Sequence, residues 1–198
     1  MAAPATFEAR GHVYRYEGRI VPSVTQVLSL AGIDELANVP RRCLARAAEL
    51  GTAVHQACEF LDQDDLDLDS LDPEIVGYVL AWQRFKQEHD FAPVVIERRG
   101  IAVGDRNYGF CLDRIGVIGE HELLVEIKTG TKPMPSWAIQ TAAYAEAEEF
   151  DGARLTVHVA ADGSYNLIPH PDPNDFKVWH HALEVAWWKL QHGAKIRA

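Results

Sequence analysis

Residues 113–128 read DRIGVIGEHELLVEIK, and the way they fold decides how the rest of the chain is arranged. Val117-Ile118 and Leu123-Leu124-Val125 are apolar and β-prone. Gly119-Glu120-His121 between them predicts a turn, so the stretch reads as two consecutive strands. Side chains alternate along a strand, which puts Glu126 and Lys128 on one face and Ile127 on the other. If the strands pair, Asp113 comes to lie beside Glu126. Two carboxylates delivered to one point make a hard, oxygen-rich site suited to Mg²⁺ or Mn²⁺. A lysine next to them is expensive unless a reaction uses its charge. The bland alternative is a solvated strand face carrying a Glu–Lys pair, which contributes about 1 kcal/mol or less.

Working outward, the centre of the chain is β-like. Val94 to Val103 reads as a strand, Gly104 to Asn107 as a turn, Tyr108 to Ile118 as a second strand and Leu123 to Lys128 as a third. Pro133 and Pro135 mark a break before a helix from Ser136 to about Phe150. Arg154–Ala160 and Tyr165–Pro169 follow as strands joined at Asp162-Gly163, and a last helix spans about Asn174 to His192. Upstream, Val13–Tyr16 and Arg19–Val21 read as a hairpin turning at Glu17-Gly18. Ser23-Val-Thr-Gln26 has capping-box spacing and opens a helix to about Leu30, with Gly32 ending it. A second helix runs from about Pro40 to Leu61, with Leu44, Ala47, Ala48, Val54 and Ala57 as its apolar stripe. Pro73 to about His89 is a third, with Ile75, Val79, Trp82 and Phe85 near one face. This order predicts an α/β domain: a mixed central sheet of about five strands flanked by helices, preceded by a hairpin and helices. No repeat or low-complexity linker divides residues 1–198.

At 198 residues, 47% hydrophobic and 24% charged, the chain has the make-up of one soluble domain. No apolar run approaches the ~20 residues that span a bilayer, so no membrane association is expected. Met1-Ala-Ala-Pro-Ala-Thr does not read as a secretory signal. Cys43, Cys58 and Cys111 are odd in number and widely spaced, which points to reduced thiols in a cytoplasmic setting. The net charge of −10 argues against nonspecific nucleic-acid binding. Seven of the acids lie in residues 62–74, DQDDLDLDSLDPE, so the remainder carries −3. That run reads as a solvated loop, and it lacks the glycine a calcium-binding loop needs. Basic clusters elsewhere (Arg41, Arg42, Arg46; Arg98, Arg99, Arg106; Lys128, Lys132; Lys189, Lys195, Arg197) leave room for a local basic channel. Trp179, Trp187 and Trp188 either close the core or, with the bases after them, stack on single strands. His180 and His181 read as surface residues.

Further residues give the carboxylates company. Gly51-Thr-Ala-Val-His55 lies inside the second helix, where a glycine costs about 1 kcal/mol relative to alanine. Close approach of helix to sheet is one reason for it. His55 follows one turn on, and Gly109-Phe-Cys-Leu-Asp113 places the acid after a small residue. Glu97 is a further acid near the site or an exposed edge residue. Gln140 and Tyr144 share a helix face, either flanking the site or as a surface helix with a buried ring.

In this order, GxxxH at 51–55, the Gly109…Asp113 strand, Glu126-Ile-Lys128-Thr-Gly130 and Gln140xxxTyr144 resemble the PD-(D/E)XK nuclease superfamily. The likeness is to its RecB-like group, which includes Cas4-type proteins and phage exonucleases, and it covers roughly residues 12–150. The resemblance implies a restriction-endonuclease-like core within a single nuclease domain. Residues 12–61 would form the hairpin and GxxxH helices, 94–150 the catalytic core and 154–192 the closing strands and helix. It implies His55, Asp113, Glu126 and the Ile127 carbonyl as ligands to one or two Mg²⁺ or Mn²⁺ ions, and Lys128 as the catalytic lysine. Gln140, Tyr144 and Gly51 would support the site or contact DNA, and Glu97 matches an acid that varies in the group. The activity implied is a metal-dependent deoxyribonuclease, an exonuclease of recombination, repair or phage DNA metabolism, in a bacterial or phage-infected cell. Its partners would be single- or double-stranded DNA, with a recombination protein or a second copy as further options. No cysteine follows Cys111, so no iron–sulfur cluster is expected. A catalytically silent binding module and an RNA substrate stay open.

Overall fold

The computed structural model describes residues 5–8, 13–34 and 39–196. Arg197 and most of the N-terminal segment judged not to be a secretory signal lie outside these.

The first unit is a small antiparallel sheet of β1 (Thr6–Glu8), β2 (Val13–Tyr16) and β3 (Arg19–Val21), in that order. The expected hairpin is β2–β3, with Glu17 and Gly18 both at positive φ. β1, too short to signal itself, adds a third strand. α1 (Val24–Ala31) has the full capping box between Ser23 and Gln26 and ends on left-handed Gly32. α2 (Arg41–Asp62) follows, then a 3₁₀ turn (Leu68–Ser70) and α3 (Pro73–His89).

The central sheet has the order β4 (Phe91–Ala102), β5 (Tyr108–Ile118), β6 (His121–Lys128), β7 (Ala153–Val159), β8 (Tyr165–Pro169). All neighbours are antiparallel except β6 and β7, which the intervening α4 (Ser136–Ala147) joins as a parallel pair. α5 (Asn174–Gln191) closes the chain. The architecture is therefore mixed α/β, as expected. Two core clusters sandwich the sheet. Leu124, Phe110 and Leu112 pack with residues of α1, α4 and α5, and Val125, Ile127, Leu155 and Val157 with those of α2 and α3. Trp179 of α5 is fully buried and Trp187 half-buried, whereas Trp188 is 59% exposed, so the tryptophans mainly close the core. His180 and His181 are exposed, as expected.

Some expectations need correction. β4 begins at Phe91 rather than Val94, because Pro93 is tolerated on an edge strand at a register shift. The hairpin turn is Gly119-Glu120 alone, since His121 already pairs with Ile118. α4 stops at Ala147, short of Phe150. The α2 stripe also fails in its first half. Ala47 and Ala48 are exposed, and burial is confined to Val54, Ala57 and Cys58 of the later turns, while the first half meets α3 through the exposed pair of Arg46 and Glu74. The close-approach reading of Gly51 fails too, since a Cβ there would meet only Thr129 Oγ1, at an ordinary 3.6 Å. Finally, Asp62 is not part of a solvated loop. It ends α2 with its side chain fully buried on Arg114.

Candidate metal centre

β5 and β6 pair from Ile118/His121 as far as Arg114/Val125 and no further. Beyond that point β6 continues beside β7, while Gly109 of β5 pairs instead with the chain ahead of α1, through a Ser23 bridge and an N–H donated to the Pro22 carbonyl. The two strands thus fork, and Asp113 and Glu126 stand on either side of the fork. Gly109 keeps β5 close to the small sheet: a Cβ there would lie 2.1 Å from the Tyr14 ring, whose hydroxyl donates to the Phe110 carbonyl.

A cleft of about 1030 Å³ opens at the fork. One wall is α2, through Ala48, Gly51, Thr52 and His55, and another is the first turn of α1. Its floor includes Glu97, Arg99, Cys111, Asp113, Lys128 and Tyr144. His55 Nδ1 is 3.1 Å from Asp113 Oδ1 and 3.8 Å from Glu97 Oε1. The other Asp113 oxygen accepts the Ile127 N–H at 2.6 Å. Lys128 Nζ donates to Glu126 Oε1 at 2.9 Å, and Gln140 Nε2 donates to the same oxygen at 2.9 Å and to Tyr144 Oη at 2.8 Å. All the residues expected near the carboxylates are brought to this one region, Gly51 on its wall and Glu97 inside it. Glu97 is 10% exposed at the side chain, so the exposed-edge alternative is excluded.

The charges perturb one another. Burial opposes the Asp113 charge, but the His55 charge and hydrogen bond, with Lys128 and the Ile127 N–H, hold its pKa below the carboxylate range. Glu126 goes the other way, pushed up to about 7 by burial and the Asp113 charge against the opposing pull of Lys128. Burial would lower the His55 pKa; Asp113 overrides it, with help from Glu97, and raises it to about 10. Lys128 is likewise raised against burial by Glu126 and Asp113.

Ligand atoms of His55, Glu97 and Asp113 lie within 4.8 Å of one another. Glu126 Oε2 is buried and has no hydrogen-bond partner among the described residues. A buried carboxylate oxygen without a donor is costly, and a cation satisfies it. One imidazole nitrogen with several carboxylate oxygens fits Mn²⁺ or Mg²⁺. The residues that the structure brings together for one divalent ion are therefore His55, Glu97 and Asp113, with Glu126 alongside, bonded to Lys128 and Gln140.

Sequence reasoning missed Arg114, Asp62 and Cys111. Arg114 Nε donates to Asp62 Oδ2 at 2.6 Å, and both side chains are fully buried. Cys111 Sγ lies 3.5 Å from Glu97 Oε2. A signal for Arg114 was there: a lone charge in an apolar central strand is buried only if paired.

No protein-family model matches the chain, and no curated protein does. Among solved structures, one described as the crystal structure of SSO0001 is similar at 15% identity, with a TM-score of 0.42. The match covers 63% of this chain and 62% of that one. Among the described residues no helix is long and apolar enough to cross a membrane.

Proposed function

We propose that the protein is a divalent-metal-dependent nuclease of the PD-(D/E)XK type that hydrolyses DNA phosphodiester bonds. The observation that carries this reading is the unpartnered, buried Glu126 Oε2 at a strand fork that also holds Asp113, His55 and Lys128. His55, Asp113 and Glu126 would hold the ion, with the Ile127 carbonyl as a further ligand. Bound there, a divalent cation supplies positive charge for the phosphoryl oxygens and acidifies a water molecule.

The chain's own residues do the rest. Lys128, kept protonated by Glu126 and Asp113, acts as a cation. It donates a hydrogen bond to the attacking water or to a phosphoryl oxygen as negative charge builds. Gln140, bonded to both Glu126 and Tyr144, fixes the carboxylate and ties it to α4. Asp113 is fixed by the Ile127 N–H and by His55, so the acids approach with little left to order. Gly51 and Thr52 offer a wall without bulk beside which a nucleic-acid strand passes.

Digestion of end-labelled single-stranded, duplex and closed circular DNA, with RNA alongside, tests the reading in Mg²⁺, Mn²⁺ and EDTA. Cleavage of DNA that needs metal and is lost in Lys128→Ala is expected. Cutting of linear but not circular DNA would mark an exonuclease. Binding without cleavage in any metal would overturn the enzyme in favour of a silent binding module, and cleavage of RNA alone would overturn the DNA assignment.

A further inference from the structure

We infer that Arg114 is the positioning residue for Glu97: its buried guanidinium, anchored on Asp62, sets the Glu97 carboxylate in the cleft as a ligand for the divalent cation. This rests on the reading of the cleft as a metal centre.

The backbone gives the first reason. Glu97 sits in β4 opposite Asp113, between the pairs Ile96/Arg114 and Arg98/Leu112, yet its φ is 48°. A non-glycine residue in that region inside a strand is strained and persists only where its surroundings enforce it. The strain accompanies a carboxylate turned inward beside His55 Nδ1.

The second reason is what holds that carboxylate. Arg114 Nη1 donates to Glu97 Oε1 at 3.1 Å and to the Asp113 carbonyl at 2.6 Å. One guanidinium thus grips two members of the His55, Glu97, Asp113 group. The remaining neighbours of Glu97 are weaker or more exposed. Arg99 Nη2 is 3.8 Å from Oε2 with its side chain 48% exposed, and the Cys111 thiol is a weak donor at 3.5 Å.

The third reason is the anchor. Asp62 accepts from Arg114 Nε, from Lys86 Nζ at 2.6 Å and from Trp82 Nε1 at 3.0 Å, so it is fixed from α3 as well. A purely structural buried ion pair can often be exchanged for apolar residues without loss of stability. The rigid fork of a guanidinium spans from Asp62 to Glu97, and the single ammonium of a lysine does not.

The test is a double-mutant cycle read as Mn²⁺ affinity by calorimetry, with thermal melting followed separately. Arg114→Lys, which keeps the charge, is expected to weaken Mn²⁺ binding roughly 10- to 100-fold, as loss of a partner behind a metal ligand does. Glu97→Gln is expected to weaken it at least as much. The double variant is expected to match Glu97→Gln within about twofold. Should Arg114→Lys not fold, Asp62→Asn/Arg114→Gln removes both charges of the pair together and takes its place in the cycle. Wild-type affinity in the Arg114 variant, or losses that multiply in the double variant, would make Arg114 merely structural and overturn the inference. A wild-type protein that binds no Mn²⁺ would overturn the metal centre itself.

Discussion

Two clusters of buried charge flank the strand fork, and they are completed to different degrees. At Asp62 both carboxylate oxygens have donors: Oδ1 takes Lys86 and Trp82, and Oδ2 takes Arg114 and Trp82. At Glu126 one oxygen takes Lys128 and Gln140, while the other is buried without a partner among the described residues. The Asp62 carboxylate is satisfied by the chain alone and ties α2 and α3 to β5, although Arg114 Nη2 beside it is buried without a partner among the described residues. The Glu126 carboxylate keeps one oxygen open, beside a Lys128 that lines the cleft. An acid completed by its own fold serves stability, and one left incomplete at the same depth serves a charge brought from outside.

Substitutions should therefore separate the two. The largest effect is expected on activity. Lys128→Ala should lower metal-dependent cleavage of labelled DNA by roughly 10²- to 10⁴-fold while its circular dichroism stays that of a folded chain. Full cleavage by that variant would remove Lys128 from the chemistry. Next comes stability. Asp62→Ala leaves Arg114 buried without its anchor and should cost about 3–5 kcal/mol in urea unfolding. A loss of under about 1 kcal/mol would mean that the Asp62 cluster is not what ties α2 to the sheet.

Much of this was legible in the sequence because the signals were local. The capping box at Ser23–Gln26, the turn glycines and the strand alternation around Glu126 each follow from neighbouring residues. That Asp113 and Glu126 come close was legible because a two-strand hairpin leaves little freedom in register, although the pairing stops at Arg114/Val125 and the two acids flank the fork. What escaped depends on long-range partners. Asp62 lies in an acidic run, and only Arg114, 52 residues on, shows that this one acid is buried. The inward Glu97 depends on a backbone twist that no residue type announces. For Gly51 the resemblance implies a place supporting the site or contacting DNA, and the packing puts it on the cleft wall without the close helix-to-sheet contact that its helix cost suggests.

That glycine gives a finer test of the open cluster. Gly51→Ala finds space beside Thr129, so the variant should be equally stable or more stable by up to ~1 kcal/mol. Cleavage should nonetheless fall, because the added methyl projects where a strand would pass. Unchanged activity would take Gly51 out of the substrate path. The smallest effect concerns His170, away from both clusters. Its buried imidazole, bonded to Thr156 and facing Arg154, has a pKa held below the ordinary histidine value by burial first and then by the arginine charge. The unfolded chain therefore binds the extra proton as pH falls through about 6.5, and the folded chain resists it until lower pH. Stability should decline across that window, and His170→Gln should flatten the decline in urea titrations at pH 7.5 and pH 5.5. An equally steep decline in the variant would place the effect elsewhere.

The open cluster is tested most directly by the melting temperature of Glu126→Gln against wild type at pH 8, in EDTA and in Mn²⁺. Burial raises the Glu126 pKa, so its contribution to stability is present at low pH and lost as pH rises through about 7. The account predicts that in EDTA the glutamine variant melts at or above wild type. With Mn²⁺ the order should reverse, because wild type gains binding energy that the variant lacks. A variant that melts well below wild type in EDTA, with no response of wild type to Mn²⁺, would contradict it and make Glu126 a structural acid like Asp62.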